Sequence, residues 1–111
     1  LESRISALVD HRLRIYDATA VTTQAAERFA PHSPAVAEAF AFRRSVLHDQ
    51  IADLFAIELA PMTGRARSEV VDAVSAAASL ETIRMLRTIA DHSRGRTATI
   101  VARTLRSLLT T

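Results

Sequence analysis

Two glycines and three prolines in 111 residues leave this chain few places to turn. A many-stranded sheet needs a turn every few residues, and glycine and proline supply most of that chemistry. Their scarcity excludes such a sheet. The breakers that do occur are clustered, at Pro31-His32-Ser33-Pro34, at Pro61 and Gly64, and at Gly95. The stretches between them have helical apolar spacing, so the expected fold is all-α, an antiparallel bundle of four to five helices.

The first helix is expected from Leu1 to about Phe29, with Ile5, Leu8, Val9, Tyr16 and Ala20 at helical spacing. The second opens with Ser33 as N-cap and Pro34 at the first helical position, and runs to about Leu59. Val36, Phe40, Leu47, Ile51 and Leu54 lie on one face of it. The third spans roughly Arg65 to Asp91. Its apolar positions, from Val70 through Val74, Ala78, Leu80 and Leu86 to Ile89, go nearly all the way round. A helix of that kind is buried on more than one side. It has more apolar surface than three partners need, which points to a second copy of the chain. The fourth begins after Ser93 or after Thr97 and reaches the C-terminus, with Ile100, Val101, Leu105, Leu108 and Leu109 opposite Arg96, Arg103 and Arg106.

Composition narrows the function classes. With 49% hydrophobic and 23% charged residues, residues 1–111 make one domain that closes a core without staples. There is no cysteine, which removes a disulfide framework, a thiolate zinc site and a cysteine nucleophile. The expected compartment is a reducing cytoplasm. The pI of about 10.4 sits oddly beside a net charge of +2 until one sees that all fourteen basic residues are arginine. The high pI reports missing lysines, not surplus positive charge. Arg94, Arg96, Arg103 and Arg106 run without an intervening acid, but one tyrosine and no tryptophan leave little to stack bases. They read as a solvated face. No apolar run approaches the roughly eighteen residues of a membrane span, so no membrane partner is expected. The chain opens inside a helical pattern without an initiator methionine, as a piece of a longer protein would.

Candidate site residues fall on the first two helices. Arg12, Thr19 and Thr23 project from the middle of the apolar face that carries Tyr16. Buried polar groups need partners. Either they form the polar patch of a small-molecule pocket, or Arg12 pairs with Asp49 or Asp53 while the threonines bond back to their own helix. On the second helix, Arg44 and His48 flank the stripe of Phe40, Ile51 and Phe55, and aromatics with a few convergent polar groups suit a pocket. A plain core stripe has the same spacing. Metal binding is not expected. His48 and Asp49 point about 100° apart on a helix, and no HxxxH or HExxH spacing occurs. There is no Gly-rich phosphate loop and no nucleophile elbow, so neither a cofactor nor enzymatic activity is expected.

The run Ala78-Ser79-Leu80-Glu81-Thr82-Ile83-Arg84-Met85-Leu86-Arg87 resembles the signature in C-terminal domains of TetR-family transcriptional regulators. The Ser93–Val101 segment after it, the Arg12–Tyr16 run, the Pro31–Pro34 break and Leu54–Leu59 have counterparts there too. Ile83 stands where members often carry tryptophan, and the N-terminal helix-turn-helix module is absent from this chain. The resemblance implies the regulatory half of a repressor-type protein: a homodimer that senses a small, largely apolar effector and reaches DNA only through the absent module. It further implies that the third and fourth helices of two chains form a four-helix interface. Val74, Ala78, Leu86, Ile89, Ile100, Val101, Leu105 and Leu108 would contribute to core and interface there. A purely structural dimerisation module is the competing expectation.

Overall fold

A computed structural model describes residues Leu1–Thr110; Thr111, the end of the expected last helix, lies outside the described residues. Helix α1 (Glu2–Glu27) is followed by a 3₁₀ turn (Ala30–His32), α2 (Pro34–Leu54) and the single-turn α3 (Ala56–Leu59). Then come α4 (Gly64–Ala77), α5 (Leu80–Arg84), which continues through a π turn (Met85–Ile89), and α6 (Arg94–Leu109). No strand occurs among the described residues, and no helix among them is long and apolar enough to cross a membrane. The shortest extent of the molecule, 19 Å, equals about two helix diameters, so most helices keep one face uncovered.

The helix starts at Ser33 and Ser93 follow from side-chain chemistry. The Ser33 hydroxyl accepts the Val36 N–H at 3.4 Å and the Ser93 hydroxyl accepts the Arg96 N–H at 3.1 Å, each satisfying a donor that the first turn leaves free. Thr97, the other candidate start, lies buried within α6.

Two expected helices are interrupted. The second ends at Leu54, because Phe55 leaves the helical region (φ −106°, ψ 27°). Arg4 donates to the freed Leu54 carbonyl at 3.1 Å. The third is split at Ala78-Ser79, where Ser79 is extended (φ −72°, ψ 155°). The Ser79 hydroxyl accepts the Thr82 N–H at 3.1 Å, and the Ser79 and Thr82 hydroxyls donate to the Ala76 carbonyl at 2.8 and 2.7 Å. Local side-chain bonds thus replace the helical ladder for one step. Ser79→Ala should cost about 1 kcal/mol in a denaturant titration, the ordinary loss for an N-cap hydroxyl.

The split redirects the apolar surface of the third segment. Helix α4 packs on α2 and α6, whereas α5 packs on α1. Val71, Val74, Ala78, Leu80, Ile83 and Leu86 are all buried within one protomer. The all-round apolar pattern is therefore absorbed inside the chain and does not itself require a second copy. Ile89, 80% exposed, and Met85 remain outside.

The core joins Ile5, Leu8, Val9 and Leu13 of α1 to Ile51, Phe55 and Leu59, to the buried positions of α4 and α5, and to Val101, Leu105 and Leu109 of α6. Between Leu13 and Ile51 no residue is buried. The end of α1 and the start of α2 form a hairpin that runs past the core, which is why Val36 and Phe40, apolar at helical spacing, are only half-buried.

Ion pairs tie α1 to its neighbours. Arg4 binds Glu58 with both terminal nitrogens, and Arg106 binds Glu2 at 2.6 and 2.9 Å. These hydrogen bonds hold both carboxyls below their ordinary value of 4.5. A depressed carboxyl stabilises the fold fully above its unfolded-state pKa and loses that contribution as pH falls through the folded-state value. Unfolding titrations below about pH 4.5 should therefore show an acid loss of stability that is shallower in Glu58→Gln.

Candidate functional site

The core ends at Leu13 and Ile51, and the chain turns at Ala78-Ser79; a cavity of about 200 Å³ lies where these meet. Arg12 comes from α1, and Arg43, Arg44, Leu47, His48 and Ile51 come from α2. Ser75, Ala76 and Ala78 end α4, and Ser79, Leu80 and Glu81 begin α5. Four of these side chains, Ser75, Ala76, Ala78 and Ser79, are small.

Arg12 is the residue that sets the site's chemistry. It is 2% exposed, and no carboxylate lies within ion-pair distance of it among the described residues. The expected pairing with Asp49 or Asp53 does not occur. One terminal nitrogen donates instead to Gln50 Oε1 at 3.1 Å and His11 Nδ1 at 2.9 Å, and the other to the Leu47 carbonyl at 3.1 Å. All three acceptors are neutral. Burial pushes the guanidinium below its ordinary pKa, though arginine keeps its charge at physiological pH. His11 must be unprotonated at Nδ1 to accept that bond. Burial, then the charges of Arg12 and Arg14, push its pKa below the ordinary 6.5. The stability gained this way is complete above pH 6.5 and declines as pH falls through the folded-state value.

Two buried polar atoms in residues lining the cavity, Ser75 Oγ and Arg43 Nε, have no hydrogen-bond partner. Polar atoms buried without partners are uncommon, and two more, on Arg87 and Thr97, lie away from the cavity. His48 stands at the edge, its Nε2 at 2.9 Å from Asp72 of α4.

Of the expected site residues, Arg12, Arg44 and His48 meet at this cavity. Tyr16, Thr19 and Thr23 line a cleft of about 20 Å³, room for about one water, which shares Arg43, Leu80 and Glu81 with the cavity. Thr19 bonds back to the Ile15 carbonyl at 2.7 Å, and Thr23 accepts from Arg43 at 3.3 Å. Phe40 and Phe55 do not line it. Phe55 is fully buried in the core beneath Arg4, because the end of α2 takes it off the helical phase of His48 and Ile51. Phe40 lies on the hairpin, its ring 5.2 Å from the Arg43 guanidinium carbon. Sequence reasoning missed Arg43, Leu47, Ser75, Ala76, Ser79, Leu80 and Glu81 as cavity residues and assigned Ala78 to the interface. A serine followed by an acid and a threonine inside an alanine run was the available signal for a helix start.

The expected interface residues divide. Val74, Ala78, Leu86, Val101 and Leu105 are buried in the protomer's own core and have no surface to offer a partner. Ile89 is exposed, and Ile100 and Leu108 are half-buried. Of the arginines around α6, Arg94 is held by Asp17 at 2.9 Å and Arg106 by Glu2, whereas Arg96 and Arg103 are exposed. A wider groove of about 580 Å³ between α1 and α6 is edged by these paired charges. None of the residues lining this groove has a buried polar atom without a hydrogen-bond partner. Among the described residues, no three His, Cys, Asp or Glu side chains are grouped to hold a metal ion.

No family model matches this chain, and neither a curated protein nor a solved structure matches it.

Proposed function

We propose that this chain is the ligand-sensing and pairing domain of a TetR-like transcriptional regulator. Its cavity between α1, α2 and the α4–α5 break receives a small, largely apolar molecule. One observation supports this most: a cavity with Leu47, Ile51, Ala78 and Leu80 in its walls borders the buried Arg12, which has no carboxylate partner. A module that only packs gains nothing from a buried unpaired charge with a gap beside it. The resemblance in Ala78–Arg87 supplies the regulator context. The repressor role and cytoplasmic setting rest on that resemblance, as does contact with DNA through a module outside this chain.

The mechanism is a population shift. A ligand that fits one conformer better favours it by its difference in affinity for the two. Leu80 and Glu81 line the cavity, and Met85 and Ile89 stand exposed on the same α5 segment. A ligand therefore touches the element that carries the uncovered apolar residues. Pairing uses Met85 and Ile89 together with the half-buried Ile100 and Leu108 of α6.

A thermal-shift screen of apolar and amphipathic compounds tests the cavity. At a hundred times its Kd a ligand adds about 2.7 kcal/mol, so a true binder raises the Tm by several degrees. A screen without a single positive shift contradicts the sensing role. Sedimentation equilibrium tests the pairing. A dimer that persists to micromolar concentration and dissociates in Ile89→Arg is the expected result; a monomer throughout overturns the pairing.

A further inference from the structure

We infer that the cavity takes a small monocarboxylate, with the carboxylate on Arg12 and an apolar body against Leu47, Ile51, Ala78 and Leu80. This rests on the reading of the cavity as the ligand site and specifies the chemistry of what enters it. Burying a charge is costly unless an opposite charge and hydrogen bonds accompany it. Arg12 has neutral acceptors for three hydrogen bonds and no anion. Those bonds use three of its five N–H groups and leave two for a further acceptor. A carboxylate supplies both the missing charge and two acceptor oxygens in the fork geometry a guanidinium prefers.

The charges around the cavity agree. Arg12, Arg43 and Arg44 line it against the single carboxylate of Glu81, which is exposed. An anion entering there meets net positive charge, and a cation is repelled. The other walls are apolar, which suits one ionised head and penalises a molecule charged at several points. The size is bounded too. About 200 Å³ corresponds to the space of roughly seven waters, enough for a body of about ten non-hydrogen atoms. A medium-chain or small aromatic acid has that size.

The test compares octanoate, octanamide and octylamine by isothermal titration against the unaltered chain. The three share a tail and differ in head charge. Octanoate should bind roughly 10–100-fold tighter than octanamide, the ratio that a charge-assisted hydrogen bond to a buried guanidinium gives, and octylamine should not bind. In Arg12→Gln, which keeps a polar group of similar reach, the preference for the acid should disappear. Because the comparison is made first on the native chain, it stands even where Arg12→Gln fails to fold. Equal binding of acid and amide overturns the carboxylate assignment and leaves the cavity as a ligand site. Preference for the amine overturns it as well. A preference for the acid that survives in folded Arg12→Gln removes Arg12 from the role. If none of the three binds and the broader screen is also blank, the cavity reading itself falls.

Discussion

Exchanging Arg12 for methionine should make this fold more stable and remove its preference for a carboxylate. Replacing buried charged groups by apolar side chains of similar volume often stabilises proteins by about 1–4 kcal/mol, because the desolvation cost disappears. The bonds given up are cheap here. Gln50 and His11 are exposed and return to water, and the Leu47 carbonyl already accepts the Ile51 N–H within α2. Urea unfolding of Arg12→Met should therefore show a higher midpoint at unchanged slope, while octanoate no longer raises the Tm. The combination matters more than either half. A residue kept for stability gives the opposite sign on unfolding, and a residue kept for binding gives this one. Lower stability in Arg12→Met would assign the guanidinium to the scaffold.

Phe55→Ala should be the most damaging of the changes considered, at about 3–5 kcal/mol. The ring is 0% exposed, it lies where α2 ends, and Arg4 covers it at 5.8 Å from the ring centroid. Its removal leaves a void that neighbouring helices fill only partly. A domain of this size has about 5–15 kcal/mol in all, so the variant loses a large share of its stability. Phe42→Ala is the matched control. That ring is 72% exposed on the hairpin, and its loss should stay within about 0.5 kcal/mol. Equal effects at the two positions would mean that the hairpin is buried in solution, as it would be if a second copy covered it.

The helical class was legible in the sequence, and so was the start at Ser33, because a serine beside a proline leaves few alternatives; for the last helix the sequence left Ser93 and Thr97 open, and the Ser93 cap decides between them. The break at Ser79 was harder to see. It lies among alanines and leucine, all strong helix formers, and depends on hydroxyls competing for one carbonyl. Missing it had consequences. An unbroken helix apolar on all sides calls for outside partners, whereas two shorter ones satisfy each other's neighbours. The interface residues show the same limit. Val101 and Leu105 make one stripe with Leu108 in the sequence, and only the tertiary packing tells which of them the protomer itself covers. Arg12 was visible as a charge on an apolar face. Its partners were not, because the Leu47 carbonyl reaches it through the register of two helices rather than through any sequence spacing. Ser75, Ala76 and Ser79 went unnoticed for a related reason, since an alanine run looks the same whether it packs tightly or leaves a gap.

Backbone amide NMR of the labelled chain titrated with octanoate shows whether a small molecule occupies the space between Arg12, Leu47 and the α4–α5 break. Occupancy there gives shift changes concentrated at Leu47, His48, Ser75, Ala78, Ser79 and Leu80, with the exposed hairpin around Phe42 unaffected. Changes confined to the hairpin, or spread evenly with no saturation, would contradict it.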